Sequence, residues 1–156
     1  MNAPFPSERP PAVAWLGYGG LIPFVVPALC VVLTPGNTAF WLQALAAYGA
    51  AILSFVGALH WAFAMLLPGL TPSHRRYSYV WSTIPALAAW VALLLPTVPG
   101  LLLLIGGLVA HYAHDLKLVK AAPLPDWYLP LRTQLTIGAG LSLATAMLTV
   151  MSKPGA

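Results

Sequence analysis

The 156-residue chain is 60% hydrophobic and 6% charged, with seven Lys+Arg against three Asp+Glu. A soluble domain carries about 25% charged residues, so this composition excludes a water-soluble monomer and a disordered chain. The single cysteine, Cys30, excludes an intramolecular disulfide and a Cys-based zinc site, and a net charge of +4 rests on too few groups to indicate nucleic acid.

Residues 1–12 contain Pro4, Pro6, Pro10 and Pro11 and are expected to form a flexible tail. They lack the compact basic start of a secretory signal, and no A-x-A-like site follows, so the first apolar run reads as a retained helix. That span is 13–33, and Pro23 and Pro27, four residues apart, predict a kink inside it. Thr34-Pro35-Gly36-Asn37 is a turn by composition. The second span, 39–67, is longer than a bilayer core requires and ends at Pro68-Gly69. After a polar loop at 71–76, the third span is 77–95, with Pro85 inside. Pro96-Thr97-Val98-Pro99-Gly100 reads as a tight turn, and the fourth span as 101–119. A Pro-rich loop at 121–127 leads to the fifth span, 128–151, with Pro130 in its first turn, and a tail at 152–156.

All five runs are too long for transmembrane strands, so the expected fold is all-α, an integral membrane bundle of five transmembrane helices. Five spans do not divide into equal inverted halves, which weighs against the common transporter architectures. Arg9, Arg75, Arg76, Lys117, Lys120 and Arg132 fall on one side of this arrangement and Lys153 alone on the other. The positive-inside rule then predicts a cytoplasmic amino terminus and a periplasmic carboxyl terminus. Trp15, Trp61, Trp81 and Trp127 fall near the inner interface and Trp41 and Trp90 near the outer one, as interfacial belts would.

The second span carries Ala47, Ala50, Ser54, Gly57 and Ala58 at spacings of three and four. Small residues on one face predict a helix-packing seam. The ionisable residues gather elsewhere. His60, His111, His114, Asp115 and Arg132 are expected at one depth near the inner face, with His111, His114 and Asp115 on one helix face. Ionisable groups in a span face the bundle interior and seek partners. Asp115 has Leu118 and Val119 at i+3 and i+4, so its candidate partners are His111 or, across helices, Arg132. Such a cluster is either a lock between helices or a functional pocket. His74 with Arg75 and Arg76 reads as a topogenic or lipid-headgroup contact. H-x-x-H-D with a third histidine is a weak metal or haem pattern, and no P-loop or G-x-S-x-G is present.

Four runs look familiar: Leu16-Gly17-Tyr18-Gly19-Gly20-Leu21-Ile22-Pro23-Phe24, Tyr48-Gly49-Ala50-Ala51-Ile52-Leu53-Ser54-Phe55-Val56-Gly57-Ala58-Leu59-His60-Trp61, Ile84-Pro85-Ala86-Leu87-Ala88-Ala89-Trp90, and Trp127-Tyr128-Leu129-Pro130-Leu131-Arg132-Thr133-Gln134-Leu135-Thr136. Together they resemble the domain of unknown function 3429 family, over roughly residues 13–150. The resemblance implies a small multi-span protein of a family found in proteobacteria and mitochondria, and it brings no established reaction. It also implies that Tyr48, Ser54, His60, Trp61, Pro85, Trp90, Asp115, Trp127, Tyr128 and Arg132 belong to the family pattern, and it does not extend to His111 or His114.

The expected protein is therefore a multi-pass protein of the bacterial inner membrane with no catalytic residue, metal or cofactor assigned. Its partners are the lipid bilayer and a larger membrane complex, not nucleic acid. Its leading function is a structural or accessory subunit or an assembly factor. A small transporter or proton-conducting protein using the His/Asp/Arg cluster comes second, and a haem- or metal-binding redox protein third.

Overall fold

The computed structural model describes residues 8–152. Lys153 and most of the two expected tails lie outside the described residues. The order is α1 (Pro11–Gly19), α2 (Ile22–Leu33), a 3-10 turn (Pro35–Asn37), α3 (Thr38–Leu66), α4 (Pro72–Leu94), α5 (Thr97–Ala121) and α6 (Tyr128–Met151), with no strand among the described residues. With α1 and α2 taken as one span, five helices are long and apolar enough to cross a membrane.

The first span breaks one turn earlier than the prolines suggested. A proline ring opposes the carbonyl four residues before it, so Pro23 conflicts with residue 19, and the helix interrupts at Gly20-Leu21. The freed Gly20 carbonyl accepts a 3.0 Å hydrogen bond from the Tyr48 hydroxyl of α3, which supplies the partner an exposed carbonyl in lipid would lack. Pro27 sits inside α2 and is buried.

Two expected loops are helical. The segment read as a polar loop at 71–76 forms the first turn of α4, capped by the Thr71 side chain, which accepts from the His74 N–H at 3.3 Å, with Pro72 at the first helical position. The Pro96–Gly100 stretch is not a turn beyond Pro96: α5 begins at Thr97, because Pro99 falls in a first turn where its missing N–H is harmless. Gly100 is required there. A Cβ at that position would lie 2.5 Å from the Ala92 carbonyl oxygen of α4.

Helix α3 is the central element, packed against α2, α4, α5 and α6. Its small residues divide between two roles. Gly57 faces α4, where a Cβ would lie 2.9 Å from the Pro85 Cβ, and Ala50 is buried. Ala47 and Ala58 are exposed, so only part of the predicted stripe is a packing seam. The main core is apolar, with Phe24, Val31, Leu45, Leu53, Leu101, Leu104 and Leu143 fully enclosed. Arg75 turns back onto the bundle. It donates to the carbonyls of Ala64, Met65 and Leu67, closing the carboxyl end of α3.

Candidate functional site

A single carboxylate organises the charged end of the bundle. Asp115, on α5, is fully buried (0% exposed), between His60 at 3% and His111 at 1%. Its Oδ1 accepts from His60 Nε2 of α3 at 3.0 Å and from the Tyr128 hydroxyl of α6 at 3.0 Å. Its Oδ2 accepts from Arg132 Nε of α6 at 2.8 Å. An ionised carboxylate accepts at both oxygens, and here donors from two other helices occupy both. A charge in a span is costly unless paired, and this arrangement pairs it while joining α3, α5 and α6 at one point. The arginine bond is a single one through Nε.

His111 lies one turn before Asp115, its Nε2 3.8 Å from Oδ1 and without a hydrogen bond among the described residues. Its Nδ1 accepts from Trp81 Nε1 of α4 at 3.3 Å. His114 leaves the cluster. Positions i+3 and i+4 from His111 fall to either side of it, about 100° apart, so Asp115 turns inward and His114 turns toward α4. There it stacks on Trp81, with centroids 3.4 Å apart, accepts from the Tyr77 hydroxyl, and donates from Nδ1 to the Ala110 carbonyl at 2.8 Å. Of the five residues expected together, the structure joins His60, His111, Asp115 and Arg132, and adds Tyr128.

His60, His111 and Asp115 offer ligand atoms within 4.8 Å of one another, close enough in distance to contact one ion. Their hydrogen bonding does not fit that use. The indole N–H is only a donor, so His111 Nδ1 is the acceptor and Nε2 carries the proton. His60 Nε2 faces a carboxylate and must also carry a proton. Neither nitrogen presents a lone pair. Arg132 already neutralises the carboxylate, so a divalent ion would add two uncompensated charges to a buried site. The His60 and His111 rings meet edge to face at 4.8 Å, leaving no slot for a planar macrocycle between them.

The remaining family-pattern residues are spread through the bundle. Tyr48 ties α3 to the broken first span. Ser54 donates to the Ala50 carbonyl at 2.8 Å within its own helix. Pro85 is buried against Gly57. Trp61 stands edge-on to Tyr79 at 5.0 Å, and both Trp61 and Trp90 face outward. The buried Trp127 Nε1 has no hydrogen-bond partner among the described residues.

The family model described as a protein of unknown function (DUF3429) matches residues 9–148. The chain belongs to this family. It is 37% identical over 147 residues to transmembrane protein 69 of Xenopus tropicalis, across 91% of this chain and 56% of that protein. With transmembrane protein 69 of Mus musculus the identity is 29% over 144 residues, across 90% of this chain and 57% of that protein. The chain thus spans a little over half the length of these relatives. No solved structure matches it. Family and helices agree on a multi-pass membrane protein.

Proposed function

We propose that the chain is a structural or accessory subunit, or an assembly factor, of a larger membrane complex. In this reading it sits in the bacterial inner membrane, amino terminus cytoplasmic and carboxyl terminus periplasmic. The observation that carries the proposal is the closed state of the hub: both oxygens of Asp115 are spent on donors from neighbouring helices, so the site holds the bundle together rather than presenting a reactive group. A groove of about 520 Å³ toward the other end adds support, since Ala39, Ala46 and Ala47 in its walls let a partner helix approach closely.

Proton conduction would need titratable groups at successive depths. The stretches 10–59, 77–110 and 133–152 contain no Asp, Glu, Lys, Arg or His, so the hub has no such continuation across the core. The six basic residues at one end support the orientation.

The test is extraction of the tagged chain from native membranes in mild detergent, followed by native gel separation. The proposal expects migration with a second polypeptide at fixed stoichiometry, and a cysteine at Ala47 that crosslinks to it. A monodisperse single chain would overturn it, as would proton flux in liposomes that Asp115→Asn abolishes. A reporter fused at Lys153 should read periplasmic, and a cytoplasmic signal would reverse the orientation.

A further inference from the structure

Beside the hub, at the same end of the bundle, lies a cavity of about 340 Å³ between the end of α3, the start of α4 and the end of α5. It falls within the range of small-ligand sites, about 300–1,000 Å³. His60, His74, Tyr77, Ser78, His114 and Lys117 contribute its polar wall, and no carboxylate lines it. The helical spacing explains the convergence: residues 74, 77 and 78 share one face of α4, and 114 and 117 share one face of α5.

The polar groups in this wall differ in what they have left to give. His60 spends its Nε2 proton on Asp115. His114 and Tyr77 are committed to each other and to the Ala110 carbonyl. Ser78 is 94% buried by its 6% exposure, yet its hydroxyl makes no hydrogen bond among the described residues. Lys117 has neither hydrogen bond nor ion pair among them. His74 is held at Nδ1 by the Thr71 hydroxyl at 2.8 Å, which leaves Nε2 uncommitted. The Ser78 hydroxyl is not sealed away from the cavity its residue lines, so it stays available to a ligand. Here it stands with a free ammonium and a free imidazole nitrogen around one cavity at the membrane edge.

We propose that this cavity binds the phosphate group of an anionic ligand, with Lys117 supplying the charge and Ser78 and His74 the directed hydrogen bonds. Several acceptor oxygens on one small anion match donors arriving from two helices, and lysine serves as a point-charge phosphate ligand. The cavity lies at the ends of α3 and α5 and the start of α4, where spans of this length would meet headgroups, which makes a phospholipid one source of that phosphate, since basic pockets between membrane helices take anionic headgroups. Free phosphate is the other. The inference is independent of the accessory-subunit proposal.

The test uses the purified full chain in non-ionic detergent, with the thermal unfolding midpoint as readout. Phosphatidylglycerol is titrated against phosphatidylcholine, and sodium phosphate against sodium chloride at equal ionic strength. The midpoint should rise more with anionic phosphatidylglycerol than with zwitterionic phosphatidylcholine, more with phosphate than with chloride, or both. A rise with phosphatidylglycerol alone identifies a lipid headgroup, and a rise with inorganic phosphate a free anion. Lys117→Gln should weaken the response about tenfold, as loss of one charge-assisted contact does. Lys117 is exposed, so that variant leaves the core intact, and Ser78→Ala gives a second reading inside the cavity. Lys120→Gln, one turn along α5 and outside the cavity, should respond like the parent chain. Equal responses within both pairs would overturn the proposal, as would equal responses of Lys117→Gln and Lys120→Gln.

Discussion

Helix α3 is held to its neighbours in two different ways, one turn apart. At His60 it joins α5 and α6 through a single carboxylate, with bond lengths of 2.8 to 3.0 Å. At Gly57 it joins α4 through shape alone, its missing Cβ leaving room for the Pro85 ring. The hub concentrates its energy in one charged group, and removal of that group strands its partners. The seam spreads its energy over many weak contacts and fails only when volume is forced into it. In lipid, where apolar surface gains little from meeting apolar surface, a bundle needs both: the seam for close approach and the hub for a fixed register.

The largest effect should come from breaking the hub. Asp115→Asn keeps the size of the side chain but leaves Arg132, only 11% exposed, without its counter-charge. Loss of one member of a buried pair costs on the order of 3 kcal/mol. Folded yield and unfolding midpoint in detergent should fall accordingly, and Arg132→Gln should also lose stability. The double variant should recover part of the sum, because neither charge is then unpaired. Strictly additive losses would show that the ion pair does not stabilise the bundle. Normal folding of the single variants with lost partner association would mark the hub as a functional contact.

Next comes the seam. Gly57→Val adds a branched side chain where a Cβ alone meets the Pro85 Cβ at 2.9 Å and the Ser82 carbonyl oxygen at 3.1 Å. Neither neighbour can swing aside, so overpacking should cost about 1–3 kcal/mol. Gly106→Val is the internal reference, since nothing lies within 4 Å of its Cβ position. A seam held by shape requires a large difference between the two in unfolding midpoint. Equal losses would assign the effect to helix propensity and erase the contrast with the hub.

The spans were legible in the sequence because a bilayer imposes a length and a composition that few residues violate. The second and fifth spans, expected at 39–67 and 128–151, agree with α3 and α6 to within one residue. Most of the misread boundaries involve proline, whereas the end of α5, expected at 119, runs on to Ala121. Pro72 and Pro99 open helices rather than loops, and Pro23 acts one turn back from its own position. Composition marks a proline as a breaker, whereas the backbone asks only whether an N–H is missed and which carbonyl the ring meets. In the hub, the Asp115–Arg132 pair followed from matched depth. His60 was placed at that depth without being joined to Asp115, and Tyr128 entered only through the family resemblance. Both choices depend on which face of α3 and α6 turns inward, and near-uniform apolarity hides that face. Trp81 and Tyr77 as histidine partners lay outside the sequence reading. Spacing of 74, 77, 78 and 81 on one face of α4 is the pattern that could have suggested them.

A smaller effect should follow at the broken first span. Tyr48→Phe removes only the hydroxyl that donates to the Gly20 carbonyl at 3.0 Å and keeps the ring edge-on to Phe24, with centroids 5.0 Å apart. One neutral hydrogen bond is worth about 1 kcal/mol. Hydrogen exchange should rise at the amides of residues 20, 21, 22 and 24, Pro23 having none, while those around Asp115 keep their protection. A rise that spreads to α5 and α6 would mean that the break and the hub form one cooperative unit.

The smallest effect should come from His111, and it decides which histidine belongs to the hub. His111 is as buried as its neighbours, and a reading from burial alone would give it equal weight with His60. Geometry separates them: His60 Nε2 reaches Asp115 Oδ1 at 3.0 Å from another helix, whereas His111 Nε2 stops at 3.8 Å and is aimed there from within α5. A contact inside one helix cannot hold two helices together. Its Nδ1 bond to Trp81 does cross to α4, at a long 3.3 Å. Glutamine retains an amide oxygen that can accept from the same indole. His111→Gln should therefore lower stability by less than about 1 kcal/mol, the scale of one weak hydrogen bond, against the several-fold larger loss at Asp115. The unfolding midpoints of the two variants, measured side by side in the same detergent, check the ratio. A loss at His111 that matches the loss at Asp115 would move the centre of the hub onto the α4–α5 contact and away from the junction of α3, α5 and α6.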